Sequence, residues 1–237
     1  MNFTTIADAT DQQVKTLVAV AKNLRDKYKD ELESKKEKGR SILKRPDFLW
    51  YQLLVSYSTW GGASGYDGMI KDENRYQQIT YSELINLSNE GRVNRLRQIM
   101  KDAKVRYYKK KAPMLARCFK KIEAMGGLGQ ANAMLFNKKF AAEMEKFLDD
   151  FPGIGQKYAN NIMMDCYHPF FREKMALDSR IQSVSNELGL NIKKYSDHEK
   201  FYLNIAKEAG IEGWELDRLI FAHRDEFLNA LRSPAKP

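Results

Sequence analysis

The chain has 237 residues, 43% of them hydrophobic and 30% charged, and its 40 Lys and Arg against 31 Asp and Glu give a net charge of +9. This length corresponds to one or two domains. The apolar fraction excludes a disordered chain, and 14 Gly with 6 Pro are too few for a fibrous or low-complexity one. Its two cysteines cannot supply an iron–sulfur cluster or a zinc site that needs four, and the positive charge favours a polyanionic partner.

Apolar residues three and four positions apart predict helices along nearly the whole chain. A long amphipathic helix is predicted over about 11–38, a buried helix over 48–57 and a loop over 60–65. Further helices are predicted over 107–124, 138–148, 156–166 and 214–231. Because we find no convincing alternating strand pattern, the predicted fold class is all-α, in two closely packed helical lobes.

Two sequences match the capping box, in which a hydroxyl and a carboxylate satisfy each other's backbone donors. They are Thr80 with Glu83 and Ser196 with Glu199, and they predict helices that begin at Tyr81 and Asp197. No apolar run approaches the roughly 18 residues of a membrane helix, and we see no secretory signal at the start. We therefore expect a cytoplasmic protein that does not bind a membrane.

Positive charge is concentrated between Arg92 and Lys121. This stretch has twelve basic residues and one acidic residue, Asp102. A phosphate backbone is the commonest reason to maintain such a field, which favours a nucleic-acid partner. A basic surface without a partner is the alternative.

The segment from Phe151 to Lys157 reads Phe-Pro-Gly-Ile-Gly-Gln-Lys and lies between two predicted helices. Pro152 ends the first helix, and glycines on either side of a buried Ile154 allow a sharp turn. The second helix then begins at once with free N–H groups, which attract a phosphate. We therefore expect a sequence-independent contact with the nucleic-acid backbone, although an ordinary helix connection would also fit this pattern.

This hairpin resembles the helix–hairpin–helix of the HhH-GPD superfamily of DNA base-excision glycosylases. The resemblance is firm over about 106–188, looser over 48–66 and 214–227, and not traceable in the first forty residues. It implies a single two-lobed helical unit with a DNA-binding cleft between the lobes. One lobe would comprise about 1–80 and 190–237, and the other, with the hairpin, about 81–189. We expect a monomer that acts at the nucleoid on double-stranded DNA containing a damaged base.

Lys157 occupies the position at which the superfamily's bifunctional members have a lysine. Such an amine attacks the deoxyribose C1′, displaces the damaged base and forms a Schiff base that permits β-elimination of the 3′ phosphate. The amine must be unprotonated, and we expect the positive end of the helix dipole, together with burial, to favour that form. A lysine that only contacts phosphate is the alternative.

Asp178 lies where the superfamily has its catalytic aspartate, in the sequence Ala-Leu-Asp-Ser-Arg-Ile. The resemblance implies that its carboxylate stabilises positive charge on the sugar and moves a proton for Lys157. The same residue would cap a helix whatever its function. Arg180 stands where relatives often have a histidine, and we expect it to contact a phosphate.

The remaining site residues follow from the resemblance and from the local pattern. We expect DNA contacts from the hairpin and from the basic run, at Gly153, Ile154, Gly155, Gln156, Lys109, Lys110 and Lys111. A base pocket or wedge is predicted at Ser58, Trp60 and Phe221. The three histidines are scattered and predict no metal site, whereas a monovalent cation held by hairpin carbonyls is a feature of the family.

The substrate is inferred by elimination. Members that remove oxidised pyrimidines commonly carry a four-cysteine iron–sulfur cluster, which this chain cannot hold. Lysine-bearing members without a cluster are mostly 8-oxoguanine glycosylases, so the resemblance predicts an 8-oxoguanine DNA glycosylase with AP lyase activity. Oxidised pyrimidines or another damaged base remain alternatives, as do a non-catalytic DNA-binding module and a basic scaffold protein.

Overall fold

The computed structural model describes residues 10–62 and 64–232, and every regular element in these ranges is helical, which confirms the predicted all-α class. A π-helix at Asp67–Lys71 and a 3-10 helix at Pro169–Phe171 accompany the α-helices. The α-helices of the described ranges are α1 Asp11–Lys27, α2 Lys29–Leu43, α3 Phe48–Thr59, α4 Ser64–Tyr66, α5 Glu73–Gln77, α6 Tyr81–Leu84, α7 Asn89–Asp102, α8 Tyr108–Ala124, α9 Leu128–Phe136, α10 Ala141–Asp149, α11 Gln156–Asp165, α12 Ser179–Glu187, α13 Tyr195–Ala209 and α14 Gly213–Arg232.

The chain divides into two compact units. Unit 1 combines Met1–Ser41 with Met163–Pro237, and unit 2 is Ile42–Ile162. The lobes predicted from the sequence have other boundaries, since residues 42–80 were expected with the chain ends and residues 163–189 with the hairpin. Both boundaries fall inside helices, α2 and α11, so no turn or change in composition marks them in the sequence.

In unit 1, α1 packs against α13 and α14, and α12 packs against α14. The buried face of α1 consists of Leu17, Ala21 and Leu24, the three- and four-residue spacing that predicted this helix. Trp214 anchors the start of α14, because its buried ring donates its indole N–H to the carbonyl of Met164 at 2.7 Å. The polar atom of the largest core side chain of unit 1 is thereby satisfied.

In unit 2, α3 lies against α8 and α9, and α8 packs along α7. The structure confirms that α3 is a buried helix, since ten of its twelve residues are buried. Trp50 of α3 donates its indole N–H to the carbonyl of Ile79 at 2.8 Å and meets the ring of Phe119 edge to face, with centroids 5.3 Å apart. These contacts fix α3 beside α8 at the centre of the unit.

Two of the predicted helix boundaries are wrong. The helix expected over 11–38 is divided into α1 and α2 at Tyr28, whose ring stacks on His223 of α14 with centroids 3.6 Å apart. The loop expected over 60–65 is shorter, because α4 begins at Ser64. The predicted helices near 107–124, 138–148, 156–166 and 214–231 are confirmed as α8, α10, α11 and α14, with ends shifted by up to three residues.

Neither predicted capping box forms. α6 does begin at Tyr81, but the Thr80 hydroxyl donates to the carbonyl of Gln77 and accepts no N–H of the helix. α13 begins at Tyr195, one residue before the expected cap. The carboxylate of Glu199 accepts instead from the N–H of Met175, so a tertiary contact replaces the local one.

Candidate active site

The hairpin of unit 2 is a tight turn between α10 and α11, which confirms the predicted helix–hairpin–helix arrangement. The N–H of Ile154 donates to the carbonyl of Phe151 at 3.0 Å, and Gly153 between them has a φ of +76°. Proline followed by a glycine of positive φ is the type II turn pattern. A Cβ on Gly153 would lie 2.6 Å from the Tyr57 hydroxyl, so only glycine fits this position.

The hairpin is held against the core of unit 2 by its own carbonyl. The Pro152 carbonyl accepts from the Tyr57 hydroxyl and, at 3.4 Å, from the Cys118 thiol. Ile154 is buried, as the sequence predicted. Side chains of α3 and α8 therefore fix the turn, and with it the position of the exposed residues that follow the turn.

The start of α11 presents free backbone donors. The first intrahelical hydrogen bond runs from Ala159 to the carbonyl of Gly155 at 2.9 Å. The N–H groups from Gly155 to Tyr158 therefore have no backbone acceptor among the described residues. Such a row of donors at a helix N-terminus suits a phosphate, which is the contact expected of Gly155 and Gln156.

Lys157 is the second residue of α11 and its side chain is exposed. The expectation that burial would favour its neutral amine is therefore wrong. The position at the positive end of the helix dipole agrees with the sequence prediction. Because the side chain is exposed, the amine is accessible to a substrate.

Asp178 is the N-cap of α12 in unit 1. Its Oδ1 accepts from the N–H groups of Arg180 at 2.8 Å and of Ile181 at 3.2 Å, which confirms the capping role. Its Oδ2 lies 3.4 Å from Nη1 of Arg180. The side chain is 19% exposed, so the second oxygen is only partly shielded from solvent.

Arg180 and Phe221 form a stacked pair next to Asp178. The Arg180 guanidinium lies over the Phe221 ring at 3.8 Å from its centroid, a cation–π contact between α12 and α14. Phe221 is nonetheless 49% exposed. An open aromatic face beside a cation is suited to a nucleobase, and the predicted roles of both residues stay predictions.

Two of the predicted site residues are buried in unit 2. Lys111 is fully buried and its ammonium group donates to the carbonyls of Tyr57 and Trp60, at 2.8 and 2.5 Å. The prediction that it binds DNA is wrong, because it closes the C-terminus of α3 and burial lowers its pKa to about 8. Ser58 is also wrong as a pocket residue, since its buried hydroxyl donates to the carbonyl of Val55.

Trp60, the third residue predicted to lie in a pocket or wedge, is only partly buried. The ammonium groups of Lys110 and Lys111 lie 5.8 and 5.4 Å from its ring centroid. Lys109 and Lys110 are both exposed on the first turn of α8. They remain candidates for contacts to a phosphate backbone.

The basic run divides into internal and external charges. Arg92 is buried and pairs with Glu123 through two hydrogen bonds of 2.6 and 2.7 Å, and Lys121 pairs with Asp150. Both cations are paired with acidic side chains of unit 2, so they contribute less to a surface field than unpaired cations do. The exposed members of the run are Lys101, Lys104, Arg106, Lys109, Lys110, Arg117 and Lys120.

Tyr107 is a candidate residue that the sequence analysis missed. It is 65% exposed and has a φ of 59°, which is uncommon for a tyrosine. The neighbouring Arg106 donates to the carbonyl of Gly61 at 2.9 Å, so the two loops lie together. Strained, exposed aromatics next to cations are frequent at binding sites, but a tyrosine gives no sequence signal for positive φ.

No group of three or more His, Cys, Asp or Glu side chains lies close enough to hold a metal ion among the described residues. The carbonyls of Gly153 and Ile154 accept no hydrogen bond from the part of the chain that the structure describes. These oxygens could coordinate the predicted monovalent cation, which stays a prediction. None of the helices in 10–62 and 64–232 has the length and apolar character needed to span a membrane.

No family model matches the sequence, and no curated protein matches it. Solved structures with a similar fold include the 8-oxoguanine DNA glycosylase of Thermotoga maritima, with a TM-score of 0.65 and 14% identity over 88% of this chain and 95% of that one. The 8-oxoguanine DNA glycosylase of Methanocaldococcus jannaschii gives a TM-score of 0.64 and 16% identity over 92% and 94%.

A second structure from Methanocaldococcus jannaschii, an 8-oxoguanine glycosylase/lyase in complex with a 15-mer DNA containing 8-oxoguanine, gives a TM-score of 0.69. Its identity is 15% over 88% of this chain and 97% of that one. At this identity the likeness establishes the fold alone. The chain has the all-α fold of these glycosylases, as the hairpin resemblance predicted.

Proposed function

We propose that this chain is a DNA glycosylase with AP lyase activity that removes 8-oxoguanine from double-stranded DNA. The observation that carries the proposal is Lys157, an exposed lysine on the first turn after the hairpin, in a chain with the fold of 8-oxoguanine glycosylases. The similar structure solved with 8-oxoguanine DNA is described as a glycosylase/lyase, which supports the same pair of activities here.

Lys157 would act as the nucleophile. Its neutral amine attacks C1′ of the damaged nucleoside, so that a C1′–N bond forms and the bond between sugar and base breaks. The base leaves with a proton, and the sugar ring opens to a Schiff base on the lysine. Loss of a proton from C2′ then expels the 3′ phosphate, which is the lyase step.

Asp178 would stabilise the positive charge that develops on the sugar and accept the proton that the amine loses. Its Oδ1 is committed to two N–H groups of α12, so Oδ2 is the oxygen with capacity for this role. Because the cap fixes the carboxylate in one orientation, the charge is preorganised before substrate binds.

The hairpin and the exposed cations would hold the DNA backbone. The free N–H groups at the start of α11 suit one phosphate, and Lys109 and Lys110 would contact further phosphates. These contacts carry no sequence information. They are the ones expected of an enzyme that must bind damage in any sequence.

Borohydride trapping tests the nucleophile. A duplex with one 8-oxoguanine, incubated with protein and sodium borohydride, should yield a covalent adduct with wild type and none with Lys157→Gln. Lys146→Gln is the matched control, since Lys146 is also an exposed helical lysine, on α10. Equal trapping by wild type and Lys157→Gln would refute the assignment of Lys157.

Asp178→Asn separates the active site from a simple DNA-binding module. Asparagine caps helices about as well as aspartate, so α12 should stay intact while the carboxylate is lost. We expect base release to slow by about 100-fold or more, with duplex affinity unchanged within about twofold. If the wild-type protein binds duplex DNA but releases no base, it is instead a non-catalytic DNA-binding module.

A panel of duplexes tests the choice of lesion. Oxidised pyrimidines and other damaged bases, each in an otherwise identical duplex, should be released more slowly than 8-oxoguanine. Faster release of a pyrimidine lesion would retain the glycosylase proposal and overturn its substrate.

A further inference from the structure

A segment without regular secondary structure, Met175–Leu177, leads directly into the N-cap Asp178. Its backbone is bound by side chains of α13 and α14. From α13, Glu199 accepts from the N–H of Met175 at 3.1 Å, and the Tyr195 hydroxyl both donates to the Met175 carbonyl at 2.9 Å and accepts from the N–H of Leu177 at 3.4 Å. The position of the segment therefore depends on these side chains.

Asp217 of α14 binds the middle of the same segment. Its Oδ1 accepts from the N–H of Ala176 at 2.8 Å, the shortest contact to the segment, and the residue is 4% exposed. The charged groups that act on it are Arg218, whose Nη1 lies 3.6 Å from Oδ2, and the carboxylates of Asp178 and Asp165. Burial, and to a lesser extent the two carboxylates, raises the pKa of Asp217 to about 6.

A buried carboxylate of this kind destabilises the folded state. Taking a charge out of water costs free energy that one backbone N–H and a guanidinium 3.6 Å away offset only in part. A leucine, whose side chain branches at Cγ as that of aspartate does, would occupy the position without that cost. A residue that costs stability at a candidate active site is expected to contribute to function.

α14 also acts on the other side of Asp178. Phe221, one helical turn after Asp217, stacks on Arg180, and Arg180 in turn faces Oδ2 of Asp178. One face of α14 thus contacts the chain before and after the N-cap. Both contacts lie within unit 1.

We propose that Asp217 is a positioning residue for Asp178, acting through its hydrogen bond to the Ala176 N–H. By fixing the segment Met175–Leu177, Asp217 fixes where the Asp178 carboxylate lies. The inference rests on the proposed function, because it assigns Asp217 to the reaction that Asp178 would serve. A displacement of about 1 Å at a reacting group costs on the order of 100-fold in rate.

Two substitutions test the hydrogen-bond acceptor while keeping a side chain that branches at Cγ. Asp217→Leu removes the acceptor, and single-turnover release of 8-oxoguanine should slow by about 30-fold or more at unchanged duplex affinity. Asp217→Asn keeps an acceptor and should stay within about threefold of wild type. Asp225→Leu is the control, since Asp225 is a 77% exposed aspartate of the same helix.

We expect the rate of base release to fall in Asp217→Leu and to stay near wild type in Asp217→Asn. The dissociation constant for duplex DNA should be unchanged in both variants. A wild-type rate in Asp217→Leu, or equal loss in both variants, would overturn the proposal. If Asp217→Leu does not fold, Tyr195→Phe decides, because it removes the two hydroxyl contacts to the same segment. An unchanged rate there would count against positioning, and a reduced rate at unchanged affinity would support it.

The two proposals fail in different ways. If wild type releases no base from any duplex, the proposed function fails. The positioning claim is then tested by hydrogen exchange in the wild-type fold, where Asp217→Leu should accelerate exchange of the Ala176 amide and Asp217→Asn should not. Equal exchange in all three proteins would overturn the positioning claim by itself.

Discussion

Asp217→Asn should stabilise the protein at neutral pH, by an amount that depends on pH. The pKa of Asp217 rises from 3.8 to about 6 in the fold, mainly through burial. A rise of about 2 units corresponds to about 3 kcal/mol at about 1.4 kcal/mol per unit. The residue is 4% exposed, so solvent screening reduces this figure little.

The sign follows from which state binds the proton. Between about pH 4 and pH 6 the folded state keeps the Asp217 proton and the unfolded state has lost it, so the contribution of Asp217 to the free energy of unfolding falls as pH rises. The contribution is complete below pH 4 and lost above pH 6. Asparagine has no proton to lose, so the free energy of unfolding of the variant should increase relative to that of wild type across this interval.

Urea unfolding followed by circular dichroism, at pH 4, 5, 6, 7 and 8, measures the difference. We expect the free energy of unfolding of Asp217→Asn, minus that of wild type, to increase by about 3 kcal/mol between pH 4 and pH 7 and to stay level above it. A difference that is the same at every pH would refute the reasoning. It would mean that Asp217 ionises in the fold as it does in the unfolded chain.

Three further predictions concern the hairpin and the basic run. Gly153→Ala should lower the free energy of unfolding by about 2 kcal/mol or more and weaken duplex binding, because its Cβ would meet the Tyr57 hydroxyl at positive φ. Gly129 is a helical glycine with open space around it, so the control Gly129→Ala should be neutral or stabilising in the same urea assay. Lys109→Gln with Lys110→Gln should reduce the slope of log affinity against log salt by about 1.8. Lys111→Met should leave that slope unchanged and alter only stability, and a reduced slope would contradict its buried position.

The features that depend on local sequence were predictable. A proline and two glycines around one apolar residue specify the hairpin, and an aspartate before Ser-Arg-Ile specifies the cap of α12, because both structures are stabilised by neighbours in the chain. The spacing of apolar residues in α1 likewise predicted its buried face.

The features that depend on residues distant in the sequence were not predictable. Lys111 and Lys110 are adjacent and identical in type, yet one is buried under the end of α3 and the other is exposed. Ser196 and Glu199 match a capping box, but Glu199 binds Met175 from a distant part of the chain. Tertiary contacts decided both cases, and a single sequence does not contain the packing that selects between them.

The buried position of Asp217 could not be predicted from the local sequence, whereas the hairpin could. Asp217 lies in a helical pattern as an ordinary polar residue, and only the packing of α12 on α14 brings it to the Ala176 N–H. Its candidate role could therefore be found from the structure and not from spacing or motif.

The central claim is that the amine of Lys157 becomes bonded to the sugar of the damaged nucleotide. The most direct measurement is mass spectrometry of the protease-digested adduct that borohydride traps on 8-oxoguanine duplex. The reduced sugar should be found on the peptide that contains Lys157, with fragment ions that place it on that side chain. A modification on any other amine, with Lys157 unmodified, would contradict the account.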